Sequence, residues 1–571
     1  MTLPTGIDEQ TAPTLSAPPH VGFVRQVSES LVVLTIAVLA FRLFVAEGYL
    51  ISTGSMAPSL LGYHKQVECP ACHYQFASGV LVDDDETDTQ TGKVQAQDLQ
   101  GDVDAPAESV CPNCGLHHIA TNALPRNEGD QLMVHKHAYE FRDPRRWEVI
   151  VFKNPSDPLQ AYVKRVVGLP GEVVAIRDGD IYINDLLQPR SLEAQRGMAI
   201  LVDDHDHEPK DDPEWHPRWI VNRPDSGWQT NGRTFVIDAP PTGSRAAASD
   251  DELGPQPLPD FDWLTFRHWI RSGGRHVTTV PLSNWPRSGG FPPAVGSVKY
   301  DLDLRQLSAI GVVDDEQVAM WEQRSNDPVF LRALRQLAAA SHEAPIVDEY
   351  GYNKSRDGDA TFIVRDLLCS FDLVSRTGNG IAAVSIDDGE DRYIVHLDFA
   401  RGVAGVRESG QNRDLQETVV DLPRGETVSV EFSLIDRQLL VAIDGKTLFA
   451  PIAKSDRQSH EPPAPTRPIS IGAAGGSFEI RALKVFRDVY YTPKSDNTLL
   501  RRMKDDEFFV LGDNSPVSVD SRCWDDPAVK RQNLVGKPVV VHLPSQQGKL
   551  SLFGETRFVR IPDFSRVRYI R

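Results

Sequence analysis

One run, Leu31 to Ala46, constrains the fold more than any other part of the chain, because it is apolar throughout except for Thr35 and Arg42. A helix that is hydrophobic on every side has no polar face to offer water, so protein or lipid must enclose it. A bilayer span needs about 20 residues. The segment 28–47 supplies that length, Tyr49 to Ile51 can continue it into the interface, and Arg42 can snorkel to the headgroups. The competing reading is a cleaved export signal, whose apolar core runs about 7–15 residues. Residues 1–27 show no hydrophobic period and are expected to be a disordered tail.

With 571 residues the chain is too long for one core, and several domains are expected. Its net charge of −20 argues against a protein held on nucleic-acid phosphates, so no nucleic-acid partner is expected. Four of the six cysteines form two pairs, Cys69-Pro70-Ala71-Cys72 and Cys111-Pro112-Asn113-Cys114. Each pair places two thiolates on one tight turn, and together they supply the four sulfurs of a closed, zinc-ribbon-like site spanning 67–120. Two disulfides in an oxidising compartment are the alternative. Four sulfurs would saturate the metal, so a zinc here is structural and His73, His117 and His118 are bystanders. Cys369 and Cys523 remain, each read as a small buried side chain.

From 121 to 185 the chain has the pattern of short strands, among them Val149-Ile150-Val151-Phe152, Tyr162 to Val167 and Ile181-Tyr182-Ile183. Residues 186–355 are rich in Pro, Asp and Trp and have no assigned fold. Their tryptophans, Trp215, Trp219, Trp228, Trp263, Trp269 and Trp285, suit small-core anchors better than an exposed sugar- or peptide-binding surface. Residues 356–490 alternate strongly, and Asp444-Gly445 between two apolar runs is a hairpin signal. Many strands at this spacing indicate a β-sandwich of jelly-roll type. Its Val-x-Ile-Asp-Gly hairpin resembles the concanavalin and laminin-G group, in which the fold serves lectins, enzymes and adhesion modules alike.

Three stretches in order carry the chemistry: Thr53-Gly54-Ser55-Met56-Ala57-Pro58-Ser59-Leu60, then Tyr162-Val163-Lys164-Arg165-Val166-Val167-Gly168-Leu169-Pro170-Gly171, then Leu511-Gly512-Asp513-Asn514 with Ser518-Val519-Asp520-Ser521-Arg522. Together they resemble the signature boxes of type I signal peptidases, the membrane-bound Ser/Lys proteases of the S26 family. The resemblance covers roughly 25–65, 129–185 and 505–545, with residues 48–66, 121–185 and 505–571 expected to form one barrel-like β core. It implies an N-terminal transmembrane helix ahead of that core; with the zinc-ribbon insert and the inserted sandwich read from the residues themselves, a mainly β protein is expected. The ribbon and the large insertion depart from the usual pattern of the family.

A serine hydroxyl needs a base, and a lysine, ordinarily near pKa 10.4, serves once apolar burial favours its neutral form. Lys164 has Tyr162 and Val166 on its strand face. By resemblance, Ser55 is the nucleophile, Lys164 the general base, and Ser518 orients the lysine. The Ser55 N–H and the Thr53 hydroxyl form the oxyanion hole, and Arg165, Gly512, Asp513, Asp520 and Arg522 frame the site. The dyad needs no cofactor; Cys69, Cys72, Cys111 and Cys114 would hold the structural zinc. The resemblance further implies signal peptides of exported preproteins as substrates and a single-pass location in the cell membrane. The N-terminus would lie inside and the catalytic part on the extracytoplasmic side. A self-cleaving Ser-Lys repressor is a poorer fit, since no DNA-binding segment is present. The alternative from another class is a membrane-tethered module on an inactive peptidase core, its sandwich binding carbohydrate or protein.

Overall fold

The computed structural model describes residues 23–44, 46–80, 108–155, 159–213, 215–238, 258–271, 277–283, 296–353, 361–454, 464–492, 501–552 and 555–570. Residues 1–22 of the expected tail, Trp285 and most of the loop between the cysteine pairs lie outside them, while residues 23–27, expected as tail, open the first helix. The protein is mainly β. Its apolar N-terminal segment forms a helix, Phe23–Phe44, and the chain is already a strand at Ala46–Leu50. The helix therefore begins before and ends before the expected span of 28–47. Among the described residues no helix is long and apolar enough to cross a membrane. Its first turns carry the polar residues Arg25, Gln26, Ser28, Glu29 and Ser30, and its apolar part runs from Leu31. Leu31, Val33, Leu34 and Ile36 each expose more than 60% of their surface among the described residues.

The core sheet is antiparallel and assembled from distant parts of the chain. Its order is Ala46–Leu50, Gln131–His135, Leu534–Val541, Val149–Lys153, Ala161–Gly168, Glu507–Leu511 and Val529–Lys530, with Arg568–Tyr569 also pairing on Leu534–Val541. Among the described residues this ladder keeps two edges, where a barrel-like core was expected. Val149 to Phe152 is continuously apolar because both faces are covered. Val149 and Val151 meet Met56, Leu60 and Leu132, while Ile150 and Phe152 meet Tyr139, Phe508 and Val510. The return strand after the insertion lands beside the lysine strand, Val510 against Val166 and Leu511 against Arg165.

The two cysteine pairs sit on tight turns, closed by His73 N–H to the Cys69 carbonyl and Gly115 N–H to the Cys111 carbonyl. They flank a small sheet of His64–Glu68, Gln75–Gly79 and Arg126–Asn127.

Two larger sheets, of nine and seven strands, face each other across one apolar core. This is a β-sandwich, and it draws on more than the alternating stretch 356–490. Ile200–Asp204, Trp228–Asn231 and Thr234–Asp238 join one sheet; Trp219–Val221 and Asp262–Phe266 join the other. Trp219 and Trp228 are buried in its core, while Trp215 packs beside the cysteine cluster. The Asp444-Gly445 turn has φ of 49° and 77° between paired Ile443 and Lys446, the two positive values a type I′ hairpin needs. A separate unit, three strands with helices Asp315–Glu322 and Pro328–Ser341, packs around Trp321, Phe330 and Leu337. Cys369 is buried as expected; Cys523 is exposed, contrary to expectation.

Candidate active site

After the edge strand the chain is pinned by Ile51 N–H to the Asp130 carbonyl, then turns through Thr53-Gly54-Ser55. Met56, Ala57 and Leu60 are buried behind that turn, so the loop carrying Ser55 is fixed from beneath by apolar packing. Lys164 projects from the strand Ala161–Gly168 and its Nζ donates to Ser55 Oγ at 2.6 Å. Only 4% of Lys164 is exposed. Tyr162, two residues back on the same face, brings its ring centroid to 5.4 Å from that Nζ.

Thr53 Oγ1 lies 3.5 Å from Ser55 Oγ, at the outer limit of a hydrogen bond. The Ser55 carbonyl accepts from Asn514 N–H at 3.0 Å. The Asn514 side chain donates through Nδ2 to the Gly54 carbonyl at 2.9 Å. The third box thus grips the peptide units on both sides of the serine Cα.

Ser518 is 1% exposed and close by, but its Oγ has no hydrogen-bond partner among the described residues. The expected bond from Ser518 to Lys164 is therefore not made in this structure. Gly512 explains how Ser518 fits: a Cβ there would collide with both Ser518 Oγ and the Ser55 carbonyl.

The framing residues form two buried ion pairs. Arg165 donates to Asp513 through Nε at 2.8 Å and Nη2 at 2.6 Å, and through Nη1 to the Trp147 carbonyl. Burial opposes the Arg165 charge, but the Asp513 carboxylate outweighs it and holds the guanidinium above its ordinary pKa. Asp513 also accepts from Ser59 Oγ at 2.6 Å, tying the frame back to the nucleophile loop. Arg522 pairs with Asp520 through Nε at 2.9 Å and Nη2 at 2.7 Å, while Asp520 accepts from Gly512 N–H. Burial pushes the Asp520 carboxyl up, yet Arg522 and the Gly512 N–H keep it below the usual carboxylate range. Both carboxylates face partners rather than the serine, so they shape the site and take no proton from it.

Several contributing residues carry no signal that sequence reasoning detected. Ser59 and Asn514 sit inside the boxes, where nothing local marks their roles. Tyr350, Tyr352 and Asn353 come from the inserted segment. Tyr350 donates to the Asp513 carbonyl at 2.9 Å, Tyr352 to the Tyr63 carbonyl at 2.9 Å, and Asn353 exchanges two 2.7 Å hydrogen bonds with Asn514.

Cys69, Cys72, Cys111 and Cys114 bring their sulfurs within 4.8 Å of one another. Sγ separations of 3.5 Å (Cys69–Cys114) and 3.6 Å (Cys72–Cys111) are far beyond a disulfide of about 2.05 Å. They approach the tetrahedral edge of about 3.8 Å that Zn–S bonds of about 2.3 Å give. The donor set fits a structural zinc. His73 and His118 turn instead to Glu68 and Glu108.

The family model described as signal peptidase, peptidase S26, matches residues 120–223 and 410–543. Those stretches hold Lys164 and the third box and leave Ser55 outside. The chain is 43% identical to the probable signal peptidase I-2 of Synechocystis over 61 residues, which is 10% of this chain and 28% of that protein. It is 43% identical to signal peptidase I of Leptolyngbya laminosa over 87 residues, 14% of this chain and 36% of the relative. Against signal peptidase I V of Bacillus subtilis the figures are 37% over 57 residues, 10% and 33%. The chain thus spans about a third of the length of these relatives. Among solved structures, a carbohydrate binding module from Bacillus subtilis superposes with a TM-score of 0.18 at 9% identity, covering 21% of this chain and 74% of that one. Lectin II from Ulex europaeus gives 0.18 at 13% identity, covering 26% and 80%. Both likenesses are slight.

Proposed function

We propose that this chain is a serine endopeptidase of the signal peptidase I kind, removing signal peptides from exported preproteins through Ser55 and Lys164. The observation that carries the proposal is the 2.6 Å contact between Lys164 Nζ and Ser55 Oγ, formed with a lysine that is 4% exposed. A general base must be within hydrogen-bond reach of the proton it takes, and low exposure favours the neutral amine that the task requires.

In the proposed cycle the neutral Lys164 amine accepts the Ser55 hydroxyl proton as Oγ attacks the scissile carbonyl. The developing oxyanion meets the Ser55 N–H and the Thr53 hydroxyl. Lys164 then passes the proton to the departing amine, leaving an acyl ester on Ser55. Water, deprotonated by the same amine, hydrolyses that ester. The substrate would lie extended beside Ala46–Leu50, which forms one edge of the core sheet and leads directly into the serine loop. The exposed apolar side of Phe23–Phe44 would engage the lipid bilayer, holding the catalytic part at the extracytoplasmic face of the cell membrane.

No cofactor enters this cycle. A zinc held by Cys69, Cys72, Cys111 and Cys114 would brace the fold beside the nucleophile loop. The inserted sandwich would add a carbohydrate or protein contact of its own.

The test is a peptide ester with small residues before the ester bond, quenched in acid during turnover and mapped by mass spectrometry. The acyl group is expected on Ser55, and Ser55→Ala should carry none. An adduct elsewhere, or none in the wild type during turnover, contradicts the proposal.

A further inference from the structure

The segment Tyr350-Gly351-Tyr352-Asn353 belongs to the insertion, yet it lies against the loop that carries Ser55. Arg487 of the sandwich holds its near end, with the guanidinium 4.6 Å over the Tyr350 ring and Nη2 donating to the Glu349 carbonyl. Its far end reaches the core. The Tyr352 ring packs with Ala57 and Leu61 and fills the space that a side chain on Gly54 would need. The Tyr352 carbonyl accepts from Gly79 N–H at 2.8 Å.

Asn353 is the residue with a chemical consequence. Its Oδ1 accepts from Asn514 Nδ2 and its Nδ2 donates to Asn514 Oδ1, both at 2.7 Å. That reciprocal pair holds the position and plane of the Asn514 amide, and the Gly54 carbonyl selects the end that faces it. So oriented, Asn514 Nδ2 also donates to the Gly54 carbonyl at 2.9 Å. The Gly54 carbonyl and the Ser55 N–H belong to one peptide unit, which is planar, so orienting the carbonyl orients the N–H. The Ser55 N–H is the backbone donor assigned to the oxyanion.

We propose that Asn353 is a positioning residue for catalysis: through Asn514 and the Gly54 carbonyl it sets the direction of the Ser55 N–H. This rests on the serine-peptidase reading above. It makes the insertion part of the catalytic apparatus, because the oxyanion donor is aligned only while this segment is docked.

The experiment compares full-length wild type with Asn353→Ala and with Asn353→Leu, which keeps the volume and removes both hydrogen bonds. Cleavage of a peptide with a small-residue motif gives kcat and KM. Binding of the matching peptide aldehyde and peptide alcohol provides the second readout. The aldehyde adds Ser55 Oγ to its carbonyl carbon, the serine proton passing to the carbonyl oxygen, and the resulting hemiacetal oxygen sits at the oxyanion position. The alcohol forms no such bond. Both variants are expected to lose roughly ten- to a hundredfold in kcat with KM nearly constant, and to weaken aldehyde binding in step while leaving alcohol binding unchanged. Unchanged kcat in either variant overturns the proposal. So does an equal loss of aldehyde and alcohol binding, which would mark a general loosening. A wild type that neither cuts nor prefers the aldehyde would overturn the peptidase reading itself.

Discussion

Ser518 and Gly512 occupy the same few ångströms, and they divide the work differently from the expectation that Ser518 holds the lysine. Ser518 Oγ is buried and makes no bond to Lys164 here; Gly512 is what allows both Ser518 Oγ and the Ser55 carbonyl to come so close. Ser518→Ala should slow cleavage by roughly tenfold, since it removes a nearby hydroxyl and leaves the dyad in place; full activity would exclude any role for it. Gly512→Ala should cost more, because its Cβ displaces the serine backbone. Adding Ser518→Ala to it should not restore cleavage, as the clash with the Ser55 carbonyl remains. Restoration would show that the serine loop is not the point of conflict. Asp513→Asn leaves Arg165 buried beside a neutral partner, a change that costs about 3–5 kcal/mol when a buried pair is broken. The expected readout is faster amide exchange across residues 54–61, which Asp513 holds through Ser59; unchanged exchange there contradicts that link.

Among the elements, the cysteine turns have the most direct test. If Cys69, Cys72, Cys111 and Cys114 hold zinc, the purified protein should contain one zinc per chain. Chelation or Cys111→Ser should remove it and lower the melting temperature. A metal-free protein with the same melting temperature would leave the four thiols as packing alone. Strands with strong local signals were legible: the Val149 to Phe152 run, the Asp444-Gly445 hairpin, and the lysine strand with Tyr162 on the same face. The three boxes were legible too, because each is a contiguous string. What stayed hidden depends on partners far along the chain. Trp219–Val221 becomes a sandwich strand only by pairing with Leu264–Phe266, and Ile200–Asp204 only by pairing with Ser477–Arg487; neither has a local period long enough to show which sheet it joins. Asn353 was unreadable for the same reason, its partner Asn514 lying 161 residues further along the chain. The N-terminal helix differs in another way: its polar first turn, Arg25 to Ser28, precedes the run from Leu31 that carries the apolar signal.

The whole molecule is joined where the chain passes between core and sandwich. There Arg190 is buried between two carboxylates, donating through Nε to Asp436 at 2.7 Å and through Nη1 to Asp488 at 2.8 Å. One guanidinium cannot neutralise both, and burial pushes Asp488 up to about 7, with Arg190 opposing and Asp436 adding to the rise. An unfolded aspartate titrates near 3.9, so the folded state keeps a proton that the unfolded state releases. The stability from this group is complete below about pH 4 and is lost as pH rises through about 7. Asp488→Asn cannot ionise and should flatten the fall in melting temperature between about pH 5 and about pH 8; an unchanged slope would contradict this account of the junction. The central claim concerns the dyad that this joined structure supports. Its most direct measurement is cleavage of a preprotein by detergent-solubilised wild type beside Lys164→Ala, with both shown to be folded. The wild type is expected to cut after the small-residue motif and the variant to leave the preprotein whole. A variant that cuts as well as the wild type would contradict the dyad, and two inactive proteins would make the peptidase core a scaffold for the sandwich.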